Sequence, residues 1–564
     1  MMSKVIYKIS IDLGGIVKRN FEKETKNCGK VNEEVLFKIL KSNDKSEIGI
    51  KFKFKDIKSI RQFKDSVPIT EYKDYEKYIN RMADGEGNVL MSEKVEYFGH
   101  TSGTTGKQKL VPCTKNSRRR ASKYMALLVN RFCYDNFKEN WNYARGMMIA
   151  DIVMTTYTKG KIPICSATSG GMKGIKHLLP YLYTSPIEVM EIKDKETALY
   201  LHLLFGLEEE ELLYISGVFI SNILDLFRTL EKNNKALVRD IQKGSISEEL
   251  NIDEGLRKVL NKKLKPNNKR AMELEKEFKK GFKGIAKRIW PNLLYIASVT
   301  GANFSIYNDK VYYYIDSIPI YSAAYGSTEA MIGINPYASK VLYVITPSAV
   351  FYEFIPIGEK GEESFDTLLL SELKLGGRYE VVITNYAGLY RYKIGDVVKV
   401  VGFYNKCPEI EFLYRKNQVL NMAAEKTNEE HLTYAIKNTI KKLNLDLVDY
   451  TTEPDNSITP GRYIFYFEFR NNMYGFSTEK LQNILDDELR VSNLAYNRAR
   501  NNKKLGMLKV EVLAPNTFDL IKEALFNKGI SKNQIKIPRV IINNKIVMDI
   551  INRNKIKFVK KSVI

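Results

Sequence analysis

The pattern of apolar and polar positions divides the chain into a long first part and a shorter second part. The first hundred residues alternate short helical patterns with polar turns, and residues 207–240 carry apolar side chains at helical spacing. Residues 147–156 form an apolar, partly β-branched run that predicts a buried strand. Residues 96–98 predict a short strand, and residues 293–412 form a strand-rich block. The first part is therefore expected to mix helices with sheet.

The pattern changes after Arg415. Residues 429–443, 478–497 and 518–527 predict helices, whereas residues 463–470 and 508–513 predict strands. This order of elements indicates a small α+β domain. We place the boundary at residue 418, giving domains of residues 1–418 and 419–564, and we expect residues 415–426 to act as a hinge.

Composition excludes several classes of protein. A hydrophobic fraction of 44% and a charged fraction of 27% are typical of a soluble globular protein. The five cysteines and four histidines are widely spread, which supports neither a disulfide framework nor a zinc site. Residues 1–18 contain Lys4, Lys8 and Asp12, unlike a signal peptide, and the longest uncharged apolar run falls short of the ~20 residues that a membrane span needs. We therefore predict a cytoplasmic protein that does not bind membranes.

The net charge of +23 raises the possibility of nucleic-acid binding. However, the lysines are scattered through every segment, and acidic residues are interleaved with them. Short basic runs of this kind are usually solvated helix faces. We therefore predict that nucleic acid is not a partner, and we keep a basic nucleic-acid-binding protein only as a distant alternative.

Three short motifs carry candidate chemistry. Residues 100–109 (HTSGTTGKQK) follow a predicted strand, and their glycines, hydroxyls and lysines could surround a phosphate, although the pattern is not a P-loop. Residues 325–330 (YGSTEA) offer a ring for stacking on a base and a carboxylate for Mg²⁺. In residues 379–400, Asp396 follows Gly395 where a strand resumes and could bind ribose hydroxyls. Taken alone, the first motif is equally compatible with an ordinary turn, and an ordinary turn is the better interpretation of the second and of Gly395-Asp396.

The order of the three motifs resembles that in the adenylate-forming superfamily, which includes acyl-CoA synthetases, luciferase and peptide-synthetase adenylation domains. Within it, the chain resembles the Gretchen Hagen family of acyl-acid-amido synthetases. The likeness extends from residue 97 to residue 550 and includes the stretches KRIWPNLLYIASVTGAN, YEVVITNYAGLYRYKIGDVVKVVGF, YRKNQVLNMAAEKTNEEHL, PGRYIFYFEF and NQIKIPRV. It implies an α/β fold with a large N-terminal adenylate-forming domain and a smaller mobile α+β lid.

The resemblance also implies roles for individual residues. It predicts an ATP site in which the phosphates are held by Ser102, Thr104 and Thr105, and the nucleotide pocket is lined by Gly301, Ala302, Tyr325, Gly326, Ser327 and Thr328. Tyr325 would pack on adenine, Glu329 would position Mg²⁺ and Asp396 would bind the ribose. Arg415 and Lys426 match charged hinge positions that reach the nucleotide when the lid turns.

A lid lysine is expected because negative charge builds on the phosphates during adenylation. Lys536 lies in NQIKIPRV, which resembles the family's Lys-x-Pro-Arg motif, and Lys545 has a looser likeness to the superfamily's lysine. We rank Lys536 first. A solvated surface lysine remains the alternative for each.

The chain departs from the plant members of the family at two motifs. The phosphate loop is one residue shorter, and Tyr-Gly-Ser-Thr-Glu replaces Tyr-Ala-Ser-Ser-Glu. The acyl pocket is expected near residues 166–170 and the helix after the phosphate loop. Residues 118–120 (RRR) could meet a substrate carboxylate, but a solvated face is the better interpretation.

The resulting prediction is a monomeric ligase that uses ATP and Mg²⁺. It would adenylate a small carboxylic acid and transfer the acyl group to an amine, most simply an amino acid. A ligase that forms coenzyme A thioesters is the alternative, because it would share every nucleotide motif.

Overall fold

The structure is a computed structural model that describes residues 2–101, 109–150, 152, 154–300, 307–358, 366–416, 419–423, 425–470, 477–527, 535–541 and 544–556. None of the helices in these ranges combines the length and the apolar character needed to cross a membrane.

The helices of the first part are α1 Met2–Lys26, α2 Cys28–Ser42, α3 Glu47–Lys51, α4 Ile60–Ser66, α5 Tyr72–Ala83, α6 Lys115–Ser122, α7 Val129–Phe137, α8 Ala167–Lys173, α9 Leu179–Leu182, α10 Ile187–Met190, α11 Lys195–Leu207, α12 Ile220–Lys243, α13 Glu254–Asn261, α14 Asn268–Lys279, α15 Ile285–Ile289 and α16 Asn308–Ile315. Those of the second part are α17 Glu429–Leu443, α18 Thr478–Ser492, α19 Leu494–Asn501, α20 Thr517–Phe526 and α21 Lys545–Arg553.

The strands are β1 Val95–Thr101, β2 Lys109–Thr114, β3 Met147–Ile149, β4 Met154–Tyr157, β5 Pro163–Cys165, β6 Tyr214–Phe219, β7 Tyr295–Val299, β8 Ile320–Tyr321, β9 Ala324–Gly326, β10 Met331–Ile334, β11 Tyr343–Ile345, β12 Phe351–Pro356, β13 Leu368–Leu369, β14 Arg378–Thr384, β15 Tyr392–Tyr404, β16 Cys407–Arg415, β17 Leu447–Asp455, β18 Arg462–Phe469 and β19 Lys509–Leu513. They form sheets in the orders β2-β1-β5-β4, β3-β6-β7-β8, β13-β12-β14-β15-β16-β11-β10-β9 and β17-β18-β19.

The eight-stranded sheet and the N-terminal helices share one apolar core. Asn32 of α2 fixes this packing, because its buried amide donates to the carbonyls of Pro347 (2.9 Å) and Val350 (2.7 Å) and accepts from the backbone N–H of Tyr352 at 2.9 Å. A buried amide that satisfies three backbone groups holds the helix in one register on the sheet.

A second core lies around the parallel sheet β3-β6-β7-β8. Strands β6 and β7 are parallel, with Ile215 opposite Ile296, and α11, α12 and α14 supply much of the apolar surface against them. Such parallel sheets are usually covered on both faces. Together the two cores form the large α/β part of the molecule.

The second part of the chain has its own cores around β17, β18 and β19. On β18 the side chains of Tyr463, Phe465, Phe467 and Phe469 alternate along the strand and lie in the larger core. Tyr466, on the opposite face of β18, lies in the smaller core, so the alternation of side chains places the strand between the two cores. The smaller α+β domain predicted after the hinge is therefore present.

The predicted elements agree with the structure in several places. Helix α17 has the bounds predicted from residues 429–443, and Asn428 caps it by accepting from the backbone N–H groups of Glu430 and His431 at 3.1 Å. The expected helix over residues 478–497 is divided into α18 and α19, because the side chain of Asn493 caps a new helix there.

Other local predictions were wrong. The helical interpretation of residues 207–240 missed strand β6, and the predicted strand over residues 147–156 is split between β3 and β4 in different sheets. Helix α1 is long rather than short. Apolar runs of this length suit a buried strand or a buried helix equally, and neighbouring elements decide between them.

Candidate active site

Asp396 lies at the centre of the candidate site. It sits within β15, opposite Arg415 of β16, and follows Gly395, whose positive φ of 80° suits glycine. The carboxylate is 1% exposed; its Oδ2 accepts from the Tyr325 hydroxyl at 2.7 Å and its Oδ1 from Nε of Arg415 at 2.6 Å. Asp396 is thus inside a strand, not in a turn before one, and it joins two predicted site residues.

Tyr325 is oriented by aromatic packing as well as by this hydrogen bond. Its ring centroid lies 5.6 Å from that of Tyr343 and 5.9 Å from that of Phe412. Burial first, and then the Asp396 charge, raise the pKa of Tyr325 well above its ordinary value. The phenol therefore stays protonated and donates to Asp396.

The YGSTEA motif is packed against the strand that leads to the candidate phosphate loop. A Cβ atom on Gly99 of β1 would lie 2.4 Å from Cγ2 of Thr328, so only glycine allows this approach. Ser327 forms a tight turn, in which its N–H donates to the carbonyl of Ala330 at 2.9 Å. Gly326 is exposed at the end of β9. The second motif is therefore beside β1.

Glu329 is half-buried, and its backbone carbonyl accepts from the Asn385 side-chain amide at 2.9 Å. Its charge acts on Tyr72, Tyr392 and Arg415, contributing to the raised pKa of each group. For Arg415, the Asp396 charge is the larger cause of the rise. Glu329 and Asp396 therefore both act on the Arg415 guanidinium.

Lys536, which belongs to the second domain, lies near Arg415 and Asp396. Its Nζ lies 4.5 Å from the ring centroid of Phe219, at the end of β6. The residue as a whole is exposed, although its ammonium group lies over the Phe219 ring. Loss of hydration, then the charge of Arg415, lower the pKa of Lys536 to about 8, against the opposing effect of Glu429 and Asp396.

The segment that carries Lys536 is anchored by Arg539. The guanidinium is buried, forms an ion pair with Asp449, donates to the carbonyl of Tyr450 at 2.7 Å and lies 4.4 Å from the Tyr450 ring centroid. It also donates to the Tyr307 hydroxyl of the first domain at 3.4 Å. Arg539 thus fixes the position of the segment three residues beyond Lys536.

The remaining predicted residues are placed differently. Lys426 is exposed, with its backbone in the left-handed region (φ 44°), and Lys545 is exposed as the first residue of α21. No contact among the described residues connects Lys545 with Asp396 or Arg415. Five predicted nucleotide-binding residues lie outside the described residues: Ser102, Thr104, Thr105, Gly301 and Ala302.

The region where the acyl pocket is expected packs on β1, the strand that also contacts the YGSTEA motif. Gly170 of α8 packs against the Tyr97 ring of β1, since a Cβ there would lie 2.3 Å from the ring.

The expectation that residues 118–120 form a solvated arginine face was wrong at two positions. Arg118 is 14% exposed and pairs with Glu96 at 2.7 Å, and Arg120 lies 4.0 Å from the ring centroid of Tyr386. Their partners lie too far away in sequence to be read from a helical charge run.

Sequence reasoning missed several residues that shape the site, namely Phe219, Asn385, Phe412, Asp449 and Arg539. Asn385 and Arg539 lie in stretches that carry the family resemblance, but no pattern indicated their partners. The other three contribute through tertiary packing, which leaves no local signal.

Three GH3 family profiles match the chain: the N-terminal domain at residues 17–320, the central domain at residues 343–415 and the C-terminal domain at residues 430–545. Indole-3-acetic acid-amido synthetase GH3.5 of Arabidopsis thaliana is 32% identical, with 92% of this chain and 90% of that protein covered. Jasmonoyl–L-amino acid synthetase JAR6 of Nicotiana attenuata is 31% identical, with 95% of each chain covered.

Comparison with solved structures agrees with these family matches. GH3.15 acyl acid amido synthetase superposes with a TM-score of 0.85 at 26% identity and 98% coverage of both chains. A 2-hydroxyisobutyryl-CoA ligase in complex with an acyl-AMP superposes with a TM-score of 0.51 at 11% identity, with 93% of this chain and 90% of that chain covered, which shows a shared fold only.

The environment of Lys536 predicts unusual chemical reactivity. At pH 8 an amine with a pKa of about 8 is roughly half neutral, whereas an ordinary lysine is almost wholly protonated. A limiting amount of acetic anhydride at pH 8 should therefore label Lys536 faster than the exposed Lys545, as measured by peptide mass spectrometry. Equal labelling of the two lysines would contradict the environment described for Lys536.

Proposed function

The chain belongs to the GH3 family and is an acyl-acid-amido synthetase with the adenylate-forming fold, and we propose that it uses ATP and Mg²⁺ to join a small carboxylic acid to an amino acid. One observation carries the proposal: Tyr325 and Asp396, from separate motifs, are hydrogen-bonded beside Arg415, and Lys536 approaches from the second domain. The coenzyme A alternative is not supported, because the relatives that match over nearly the full chain are amido synthetases.

The chemistry proceeds in two balanced steps. A carboxylate oxygen of the acid attacks the α-phosphorus of ATP, and the bond from that phosphorus to the pyrophosphate oxygen breaks. The acyl carbon then bears AMP, a far better leaving group than oxide. The amine attacks this carbon, AMP departs and the nitrogen loses a proton, which gives the amide.

The described residues suit these steps. Tyr325 offers its ring to adenine, and each oxygen of Asp396 retains a lone pair for a ribose hydroxyl after its present hydrogen bond. Lys536, when protonated, would offset charge on the phosphates as the P–O bond breaks. The predicted phosphate ligands Ser102, Thr104 and Thr105 lie between β1 and β2, whose pairing brings Thr101 opposite Lys109.

Glu329 fits a magnesium ligand. Mg²⁺ in nucleotide sites commonly takes one or two carboxylates together with phosphate oxygens and water. No cluster of three His, Cys, Asp or Glu side chains that could hold a metal occurs in the described part of the chain. A single half-buried carboxylate is therefore suited to an ion that arrives with the triphosphate, where it would reduce repulsion of the attacking carboxylate.

We also propose that the protein is a cytoplasmic monomer of two domains, residues 1–418 and 419–564. The domain boundary after residue 418 lies between the match to the central domain and that to the C-terminal domain. One chain supplies Tyr325, Asp396, Arg415 and Lys536, so a monomer contains the site. None of the five cysteines, all of which lie in the described ranges, forms a disulfide, as suits the cytoplasm.

The first test identifies the reaction. Acid-dependent ATP–pyrophosphate exchange is measured over indole-3-acetic, jasmonic, benzoic and short-chain fatty acids, and the fastest acid is then incubated with ATP, Mg²⁺ and either an amino-acid mixture or coenzyme A. We expect an N-acyl amino acid, with AMP and pyrophosphate formed in equal amounts. A thioester without an amide in the mass spectrum would refute the proposal.

Substitution of Glu329 tests the metal role. Glu329→Gln keeps the shape of the side chain but removes its charge, so exchange should fall about a hundredfold while the melting temperature stays constant. The matched control is Glu411→Gln, an exposed position on the same sheet. Unchanged exchange in folded Glu329→Gln would rule out the role.

Substitution of the two lid lysines tests their ranking. Lys536→Ala should slow exchange about a hundredfold, because it removes a charge that faces the phosphates. Lys545→Ala should leave exchange unchanged, since no contact among the described residues links Lys545, the first residue of α21, with Asp396 or Arg415. The opposite result, with Lys545→Ala inactive and Lys536→Ala normal, would show that the ranking is wrong.

A further inference from the structure

The first turn of α16 contacts the second domain at two points. Tyr307, just before the helix, accepts from Arg539 at 3.4 Å. Nζ of Lys310 donates to Oδ1 of Asp446 at 2.5 Å and to the carbonyl of Leu447. Helix α16 follows β7 and the predicted nucleotide residues 301–302. A single short segment therefore lies between the nucleotide region and the second domain.

The Lys310–Asp446 pair is partly shielded from water. The exposed fractions are 24% for Lys310 and 36% for Asp446. Arg470 lies 3.6 Å from the other oxygen of Asp446, and Arg228 contributes positive charge from the first domain. Burial lowers the pKa of Lys310, with smaller contributions from Arg228 and Arg470, while Asp446 opposes the shift. The negative charge of Asp446 therefore lies among positively charged side chains of both domains.

Within the second domain, strand β17 links this contact to the segment that carries Lys536. Leu447 begins β17, and Asp449 on the same strand forms the buried ion pair with Arg539. Farther along, the N–H of Thr452 donates to the Arg539 carbonyl at 2.9 Å, and the N–H of Ile541 donates to the Thr452 carbonyl at 2.7 Å. Strand β17 therefore holds both the partner of Lys310 and the segment that carries Lys536.

We propose that Lys310 is a positioning residue, whose ion pair with Asp446 holds the second domain where Lys536 reaches the site during adenylation. The inference rests on the proposed role of Lys536. Loss of the pair leaves the Tyr307–Arg539 hydrogen bond as the remaining contact of this segment described above, so the second domain is held less firmly and Lys536 spends less time beside Phe219 and Arg415. Amide formation from a finished acyl-adenylate does not depend on the pair, because pyrophosphate has already left and its charge no longer needs Lys536.

The experiment separates the two half-reactions. Lys310→Met, Asp446→Asn and the double variant are compared in ATP–pyrophosphate exchange with the fastest acid from the screen. They are also compared in amide formation from the synthetic acyl-adenylate of that acid and the amino acid it is joined to. Each single variant should slow exchange about fivefold, the scale of a partly exposed ion pair, and the double variant should be no slower than either.

The same variants should form amide from the acyl-adenylate at the normal rate, and Lys310→Arg should restore exchange. The matched control is Lys18→Met, because Lys18 and Asp135 form a pair of similar exposure (30% and 25%) at 2.8 Å within the first domain. This variant should behave normally in both assays. In a Lys536→Ala background, Lys310→Met should cause no further loss.

Two results would overturn the inference: additive losses in the double variant, or a parallel fall of both half-reactions in Lys310→Met. If Lys310→Met exchanges at the normal rate while Lys536→Ala is impaired, the role of Lys310 is refuted and the proposed role of Lys536 stands. Impaired Lys310→Met with normal Lys536→Ala would instead refute the proposed role of Lys536 and, with it, the route by which Lys310 acts.

Discussion

A buried charge needs partners, and the carboxylate of Asp396 is the charge around which this site is built. At 1% exposure it would be costly without the two donors it has, the Tyr325 hydroxyl and the Arg415 guanidinium. Tyr325 belongs to a motif 71 residues earlier in the chain, and Arg415 ends β16 at the start of the hinge. One electrostatic requirement therefore holds two motifs and the domain boundary in a single place.

The Asp396–Arg415 pair also connects the site residues of the first domain with Lys536 of the second domain. Arg415 is held by Asp396 and in turn lowers the pKa of Lys536, which Asp396 partly opposes. The two lid candidates thus differ in kind. Lys536 belongs to a charge network with Asp396 and Arg415, two of the predicted nucleotide-binding residues, whereas Lys545 begins helix α21. Position in this network, rather than the presence of a lysine, makes Lys536 the better candidate for stabilising phosphate charge.

Sequence reasoning succeeded where short segments decide structure. Helix α17 was predicted from its apolar spacing, which is local, and the Asn428 cap that the structure shows at its start is local as well. It failed where distant partners decide, as at β6, whose apolar residues suited a helix equally until β3 and β7 paired with it. The three motifs could be found in order, yet the meeting of two of them at Tyr325 and Asp396 depends on strand pairing within the eight-stranded sheet. The contacts of Arg118 and Arg120 are tertiary for the same reason.

Anchoring of the second domain at α16 has a consequence for the order of events. In the sequence, Tyr307 and Lys310 come after β7 and the predicted nucleotide residues 301–302, so under the proposed function a shift of α16 on binding ATP would move the contacts with Arg539 and Asp446. Binding that favours the present position of α16 must, by linkage, favour the present position of the second domain equally. ATP would thus help to bring Lys536 to the site. Under the proposed function, part of that stabilisation would be lost once pyrophosphate has left, and the second domain could then move to admit the amine.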